Sequence, residues 1–212
     1  MSGDLPQIAL ASQSPRRRQL LDQIGVGYTC LLVSVEEIQQ PGESASDFVI
    51  RLAREKAQAG RQLILETGEW PESLPVLGAD TAVVLDDEVF GKPTGPDHAR
   101  AMLTRLSGRR HQVLTGVALA TPGGILHRLQ SSSVSFDCIP PHAIDAYWQS
   151  GEPADKAGAY AVQGLAAGFI SDIQGSFSGV MGLPVFETVA LLREAGVFAV
   201  DSLFGPGHAG HE

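Results

Sequence analysis

The chain has 212 residues, 43% hydrophobic and 18% charged, a composition that supports a buried core and excludes disordered, collagen-like and coiled-coil proteins. Its 15 Lys and Arg against 24 Asp and Glu give a net charge of −9, which argues against nucleic acid or an anionic membrane as the main partner. Cys30 and Cys138 form no CxxC pair, and no segment resembles a secretory signal or reaches the roughly 18 apolar residues of a membrane span. We therefore expect a reduced, soluble, cytoplasmic protein.

In the first half of the chain, short apolar runs that predict strands alternate with runs of helical periodicity. The first helix has Ser14 as its N-cap and Pro15 at its first position, and it should end at Gly25 or Gly27. The other elements predicted up to residue 110 are a strand over 7–11, a strand over 28–33, a long helix capped by Ser44 or Ser46, a strand over 76–85 that turns back to Phe90, and a helix over 96–106.

The second half of the chain predicts hairpins, so the sheet should be mixed rather than purely parallel. Neither a repeat nor a linker is visible, which favours a single domain over 1–204 followed by a loose tail over 205–212. The elements predicted here are strands over 111–121, 125–130 and 134–139, a helix over 140–149, an irregular or short-helical region over 156–175, and a last helix over 185–194.

Three arginines, Arg16, Arg17 and Arg18, fall in the first turn of the first predicted helix. A helix N-terminus already carries a partial positive charge and free N–H groups, so these side chains oppose the helix dipole. A bound polyphosphate would compensate them, because it accepts hydrogen bonds from both N–H groups and guanidinium groups. Three solvated arginines on a surface helix are the alternative, and the spacing alone leaves both interpretations open.

Asp80 lies inside an apolar predicted strand, where an ionised carboxylate is costly unless it meets a cation, a metal or hydrogen-bond donors. Lys92 follows the acidic turn over 86–88. A three-residue loop at 86–88 would place Asp80 and Lys92 on the same face as diagonal neighbours, whereas a two-residue loop would place them on opposite faces. A structural Asp beside an incidental Lys is the alternative.

Two further groups of polar residues are ambiguous by themselves. Glu36-Glu37 and Arg54–Lys56 have the appearance of solvated charge pairs. The segment 155–164 surrounds a few polar residues with Gly and Ala, which is typical either of a ligand pocket or of a surface loop. The GxGxxG, GxxxxGK[ST] and GxSxG motifs are absent from the sequence, so the dinucleotide fold, the P-loop and the hydrolase elbow lack their signatures.

Six short motifs in a fixed order resemble the Maf family of nucleoside triphosphate pyrophosphatases, and the likeness runs from about Gln7 to Ala195. Each motif is weak singly, but their common order makes chance agreement improbable. One departure is Ser178-Gly179, where the family resemblance leads us to expect a larger polar residue on the pocket wall. The motifs are ASQSPRR (11–17), REK (54–56), GADT (78–81), GKP (91–93), DKAGAYAVQG (155–164) and GLP (182–184).

The resemblance implies a role for each matching residue. It identifies Asp80 as the proton acceptor and Asp80 with Glu37 as ligands of a divalent metal, Mg²⁺ or Mn²⁺. Arg17, Thr81 and Gln163 look like the specificity set of the branch that acts on dTTP and UTP. The substrate-binding residues that the resemblance implies are Ser12, Arg16, Arg17, Lys56 and Lys92.

The resemblance also implies a fold and a reaction. We expect an α/β fold with an elongated mixed sheet, flanking helices and two lobes around a substrate cleft, of the Maf/ITPase-like type. The expected reaction is hydrolysis of dTTP and UTP between the α- and β-phosphates by a homodimer. The same chemistry on 7-methyl-GTP or another modified nucleotide, and a nucleotide-binding regulator of cell division, remain the alternatives.

Overall fold

The structure, a computed structural model, describes residues 6–198, so the predicted tail over 205–212 lies outside the described residues. The helices are α1 (Pro15–Gln23), α2 (Ala45–Thr67), α3 (Pro96–Leu106), α4 (Pro141–Gln149), α5 (Phe177–Met181) and α6 (Val185–Glu194). The strands are β1 (Ile8–Leu10), β2 (Tyr28–Cys30), β3 (Val76–Leu85), β4 (Glu88–Phe90), β5 (Arg110–Thr121), β6 (Gly124–Phe136) and β7 (Ile170–Gln174). Short 3₁₀ turns lie at Glu152–Asp155, Ala157–Ala159 and Leu165–Phe169.

The seven strands form one mixed sheet in the order β2-β1-β3-β5-β6-β7, with β4 as an additional partner of β3. β1 pairs in parallel with β2 and β3, and the remaining pairs are antiparallel. Helices flank this sheet, so the predicted α/β fold with a mixed sheet is confirmed. None of the helices within residues 6–198 combines the length and the apolar character that crossing a membrane requires.

Strand β3 has an unusually buried position, because it pairs with β1, β4 and β5. Nine of its ten residues are buried, as expected for the continuous apolar run over 76–85. Asp80, near the middle of the strand, is 7% exposed. The strand therefore holds this carboxylate at a fixed place in the interior of the protein.

Helix α2 approaches the sheet very closely across two glycines. A Cβ atom on Gly78 of β3 or on Gly116 of β5 would lie 2.7 Å or less from backbone atoms of α2, a distance that real Cβ atoms do not tolerate. Glycine is therefore required at both positions. Because Gly78 stands two residues before Asp80, this close approach also brings Lys56 of α2 up to the Asp80 carboxylate.

Three predicted elements differ from the observed ones. The strands expected over 125–130 and 134–139 are one strand, β6, because residues 131–133 pair continuously with β5 despite being three serines. The region over 156–175, expected to be irregular or short-helical, has two of the 3₁₀ turns but also contains β7, which pairs with β6 along an edge of the sheet. The strand expected over 28–33 ends at Cys30.

The hairpin between β3 and β4 has a two-residue loop, not the three-residue loop that the same-face argument required. Leu85 pairs with Glu88, and Asp86–Asp87 both adopt positive φ, 52° and 63°. A two-residue turn of this kind matches the twist of the flanking strands, and Asp tolerates the left-handed region better than most residues. The strand register therefore does not place Lys92 on the same face of the sheet as Asp80.

Candidate active site

A cavity of about 580 Å³ lies beside the middle of β3. Its lining combines apolar side chains, among them Phe48, Leu52 and Val162, with charged and polar ones. Its size is typical of pockets that enclose a small organic ligand. All nine candidate site residues line it: Ser12, Arg16, Arg17, Glu37, Lys56, Asp80, Thr81, Lys92 and Gln163.

A buried lysine joins two carboxylates at the centre of this cavity. The Lys56 Nζ donates to Asp80 Oδ1 at 2.7 Å and to Glu37 Oε1 at 2.5 Å. Lys92 Nζ lies 3.4 Å from the second oxygen of Glu37, so it reaches the cluster through Glu37 and not through Asp80. Glu37 and Lys56, which resembled solvated charges in the sequence, are therefore partners across 19 residues of chain.

The two carboxylates have opposite environments. Burial raises the pKa of Asp80 above its ordinary value, and the charge and hydrogen bond of Lys56 only partly offset this effect. Burial also acts to raise the pKa of Glu37, but there the hydrogen bond and charge of Lys56, with those of Lys92, outweigh it and lower the pKa. Asp80 is thus the stronger proton acceptor of the two.

The N-terminus of α1 opens onto the cavity beside these carboxylates. Pro15 begins the helix and Ser14 is its N-cap residue, as predicted, but the Ser14 side chain accepts no capping hydrogen bond. The Ser12 Oγ accepts from the Ser14 backbone N–H at 3.2 Å and from Arg17 Nη1 at 3.0 Å. Because the first turn contains no acidic residue, its positive charge is available to an anion in the cavity.

Arg17 and Thr81 meet at the turn of the GLP motif. The Arg17 Nε donates to the Gly182 carbonyl at 2.7 Å, and burial lowers the pKa of this guanidinium although it stays within reach of the Asp80 charge. The Thr115 hydroxyl donates to the Gly179 carbonyl, so the Thr81 hydroxyl, 3.0 Å away, donates to Thr115. The Thr81 hydroxyl oxygen can then accept a hydrogen bond from a ligand in the cavity.

Two polar residues of the cavity wall, Asp155 and Lys156, received no role from the sequence. Lys156 Nζ and Arg16 Nη1 both contact the Asp155 carboxylate, the latter at 3.5 Å. Lys156 lies inside the DKAG motif, and that motif is the sequence feature that could have indicated its place in the cavity. With Lys156 and Asp155 included, five cationic and three acidic side chains line the cavity, so its lining carries an excess of positive charge.

The departure at Ser178-Gly179 put a pocket-wall contact in doubt, and neither residue lines the cavity. Ser178 Oγ accepts from the Val185 N–H at the start of α6. A Cβ on Gly179 would lie 2.5 Å from the Gln130 side chain, so a larger residue does not fit there without displacing Gln130.

The donor set of the site fits a divalent cation that takes part of its ligands from phosphate. One oxygen each of Glu37 and Asp80 is bound to the Lys56 ammonium, so a metal would be held by the other oxygen of each carboxylate. Within residues 6–198 no three His, Cys, Asp or Glu side chains are grouped closely enough to hold a metal by themselves. One or two carboxylates, completed by substrate phosphates and water, are the usual protein contribution to a Mg²⁺ site.

Comparison with known proteins identifies the family. The family model described as "Maf-like protein" matches residues 7–195, nearly the whole chain. The chain belongs to the Maf family. Three relatives of this family carry the name dTTP/UTP pyrophosphatase: one from Methylococcus capsulatus, 49% identical over 94% of this chain and 96% of its own; one from Alkalilimnicola ehrlichii, 52% identical over 89% and 93%; and one from Escherichia coli, 49% identical over 89% and 92%.

Proposed function

We propose that this Maf protein is a nucleoside triphosphate pyrophosphatase that hydrolyses dTTP and UTP to the monophosphate and pyrophosphate. The observation that carries the proposal is the convergence of Asp80 with the cations Arg16, Arg17, Lys56 and Lys92 on one cavity of nucleotide size. The names of relatives about 50% identical over most of the chain support the same substrates.

Within this proposal the cations receive the triphosphate and Asp80 receives a proton. Arg16, Lys56 and Lys92 neutralise phosphate charge in a protein that is acidic as a whole. A water molecule loses a proton to Asp80 and attacks the α-phosphorus, the bond to the bridging oxygen breaks, and pyrophosphate leaves. Phosphoryl transfer depends mainly on positioning and charge stabilisation, so one base among several cations is sufficient.

We propose a divalent cation, Mg²⁺ or Mn²⁺, as the cofactor, held by Glu37 and Asp80. When bound with the substrate it would supply further neutralisation of phosphate charge. Lys56 contacts both carboxylates and keeps them close together.

The preference for thymine and uracil is assigned to the residues that match the family's specificity set. Gln163 lines the cavity, and its amide both donates and accepts hydrogen bonds, which matches the O4 and N3–H edge of these bases. Gln163 is exposed in the free protein, so a bound base has to cover it. With the amide held in one orientation, a cytosine or purine base would leave it mispaired, and mispaired groups that the base buries lead to strong rejection. We further propose a cytoplasmic homodimer.

One experiment separates this function from its alternatives. The protein is incubated with Mg²⁺ and a panel of UTP, dTTP, CTP, ATP, GTP and 7-methyl-GTP, and the phosphorus products are identified by ³¹P NMR. We expect pyrophosphate and nucleoside monophosphate, formed fastest from UTP and dTTP. Orthophosphate with diphosphate would contradict the pyrophosphatase assignment. Faster cleavage of 7-methyl-GTP would favour the sister branch, and tight binding without turnover would favour a nucleotide-binding regulator.

A further inference from the structure

The segment that carries Gln163 is a tight turn with no regular strand or helix of its own. The Gly164 N–H donates to the Ala161 carbonyl at 3.1 Å, which closes the turn. Ala161, Val162 and Gln163 all line the cavity. Since a base-reading amide needs a fixed position and no strand supplies it, another element has to hold this turn.

Two side chains outside the cavity hold the turn from both sides of Gln163. The hydroxyl of Tyr147, on α4, accepts from the Ala161 N–H at 3.1 Å and donates to Glu152 Oε1 at 2.6 Å. The other oxygen of Glu152 accepts from the Leu165 N–H at 3.1 Å. Neither Tyr147 nor Glu152 is among the cavity-lining residues.

The fit around this pair is tight and its polar atoms are satisfied. Tyr147 is 4% exposed, and its hydroxyl uses both its proton and a lone pair. The Glu152 carboxylate lies directly against the Cα of Gly164, so a side chain on that residue would collide with it. Burial raises the pKa of Tyr147, which keeps the hydroxyl protonated and able to donate to Glu152.

We propose that Tyr147 and Glu152 are positioning residues for substrate specificity, which fix the backbone on both sides of Gln163 and so set the place of its amide in the cavity. The inference rests on the proposed function, in which Gln163 reads the base. The pair acts through the turn and touches neither the phosphates nor Asp80. Its loss should therefore affect base discrimination more than cleavage.

The test compares Tyr147→Phe with wild type by two readouts. We expect the ratio of kcat/KM for UTP to that for CTP to fall about tenfold or more, since discrimination in such sites depends on paired polar groups. The kcat/KM for CTP should change less than about threefold. In the free protein, the Ala161 amide should exchange its hydrogen faster, because its acceptor has been removed.

Matched variants separate positioning from general damage. Tyr28→Phe removes a hydroxyl from β2, away from the cavity lining, and should change neither readout. Glu152→Gln, which retains an acceptor for the Leu165 N–H, should disturb discrimination less than Glu152→Ala does. In a Gln163→Ala background, Tyr147→Phe should change the UTP to CTP ratio little further, because both changes act on the same amide.

Failure of the inference differs from failure of the proposed function. If Tyr147→Phe lowers kcat/KM for UTP and CTP equally, or leaves Ala161 exchange unchanged, the positioning role is overturned. The same holds if Gln163→Ala abolishes the UTP preference while Tyr147→Phe retains it. If wild type itself does not distinguish UTP from CTP, the proposed substrate preference fails, and hydrogen exchange at Ala161 and Leu165 then decides whether the pair holds the turn.

Discussion

Lys56 is the residue on which the charges of the site depend. Its ammonium is buried, and burying a charge is costly unless counter-charges are held in good geometry beside it. Here two carboxylates share that task, so the loss of either still leaves Lys56 one partner. A substitution at Asp80 can therefore test chemistry without leaving an uncompensated charge in the interior.

We predict that Asp80→Asn lowers turnover by about 10²–10⁴-fold, the usual contribution of a positioned general base. Asn retains the shape and an acceptor for Lys56, but it is a poor base and a weaker metal ligand. The fold and triphosphate binding should survive, because Arg16, Arg17, Lys56 and Lys92 remain. Pyrophosphate release measures the first effect, and calorimetry with α,β-imido-UTP measures the second.

Two further variants complete this comparison. Arg16→Ala should weaken binding of the analogue while Asp80 chemistry remains in place, and Asp172→Asn, an exposed acid on β7, should change neither quantity. Should Asp80→Asn retain more than a few per cent of wild-type turnover, Asp80 has a structural role and Glu37 becomes the candidate base.

At the scale of elements, the spacing between α2 and the sheet determines whether Lys56 reaches Asp80. Gly78→Ala would place a Cβ against backbone atoms of α2, and backbone cannot move aside as a flexible side chain does. We expect a loss of stability of about 1–3 kcal/mol, the usual cost of overpacking. We also expect lower kcat, because the 2.7 Å contact between Lys56 and Asp80 lengthens. Urea unfolding and pyrophosphate release give the two quantities.

The control for this prediction is Gly168→Ala, at a position where an added Cβ meets open space. It should leave both stability and kcat near the wild-type values. Equal stability of Gly78→Ala and wild type would mean that α2 shifts freely over the sheet, contrary to the close packing described above.

Elements with local signals were predictable from the sequence, and those that depend on a partner strand were not. Ser14 with Pro15 identified the start of α1, and the apolar run over 76–85 identified β3. By contrast, residues 131–133 are serines with little strand tendency of their own and become strand only by pairing with β5. Strand β7 is similarly formed at an edge by pairing with β6.

The same distinction holds for the site. The family motifs identified the residues of the cavity, because each motif is a local pattern. The contact of Glu37 with Lys56 joins a loop to a helix, and only tertiary structure determines it. Tyr147 and Glu152 belong to no motif and act through the backbone of another segment, so sequence patterns gave no indication of them.

At the scale of the whole molecule, charge is distributed unevenly. The chain carries a net charge of −9, whereas the cavity lining has five cationic and three acidic side chains. A polyanion is therefore attracted to one place on a protein that otherwise repels it. Such focusing favours a compact triphosphate over an extended nucleic acid, which would have to lie along the acidic surface as well.

A buried histidine lies behind the cavity. His111 is 2% exposed, and its Nε2 shares a hydrogen bond of 2.8 Å with the Tyr160 hydroxyl. Its Nδ1 has no hydrogen-bond partner within the described residues, and the Phe136 ring packs edge-on against the imidazole. A proton on Nδ1 would therefore place a charge in an apolar setting, and this burial lowers the pKa of His111 from 6.5 to about 4.

We predict that this histidine makes the fold less stable in mild acid. The unfolded chain, with a pKa near 6.5, binds a proton before the folded protein does, so stability is present above pH 6.5 and is lost as the pH falls towards 4. Between pH 7 and pH 5, wild type should lose about 2 kcal/mol more than His111→Gln, which does not titrate. Urea unfolding at both pH values measures the difference, with His98→Gln, an exposed histidine, as the control. Equal losses in wild type and His111→Gln would show that His111 protonates without cost.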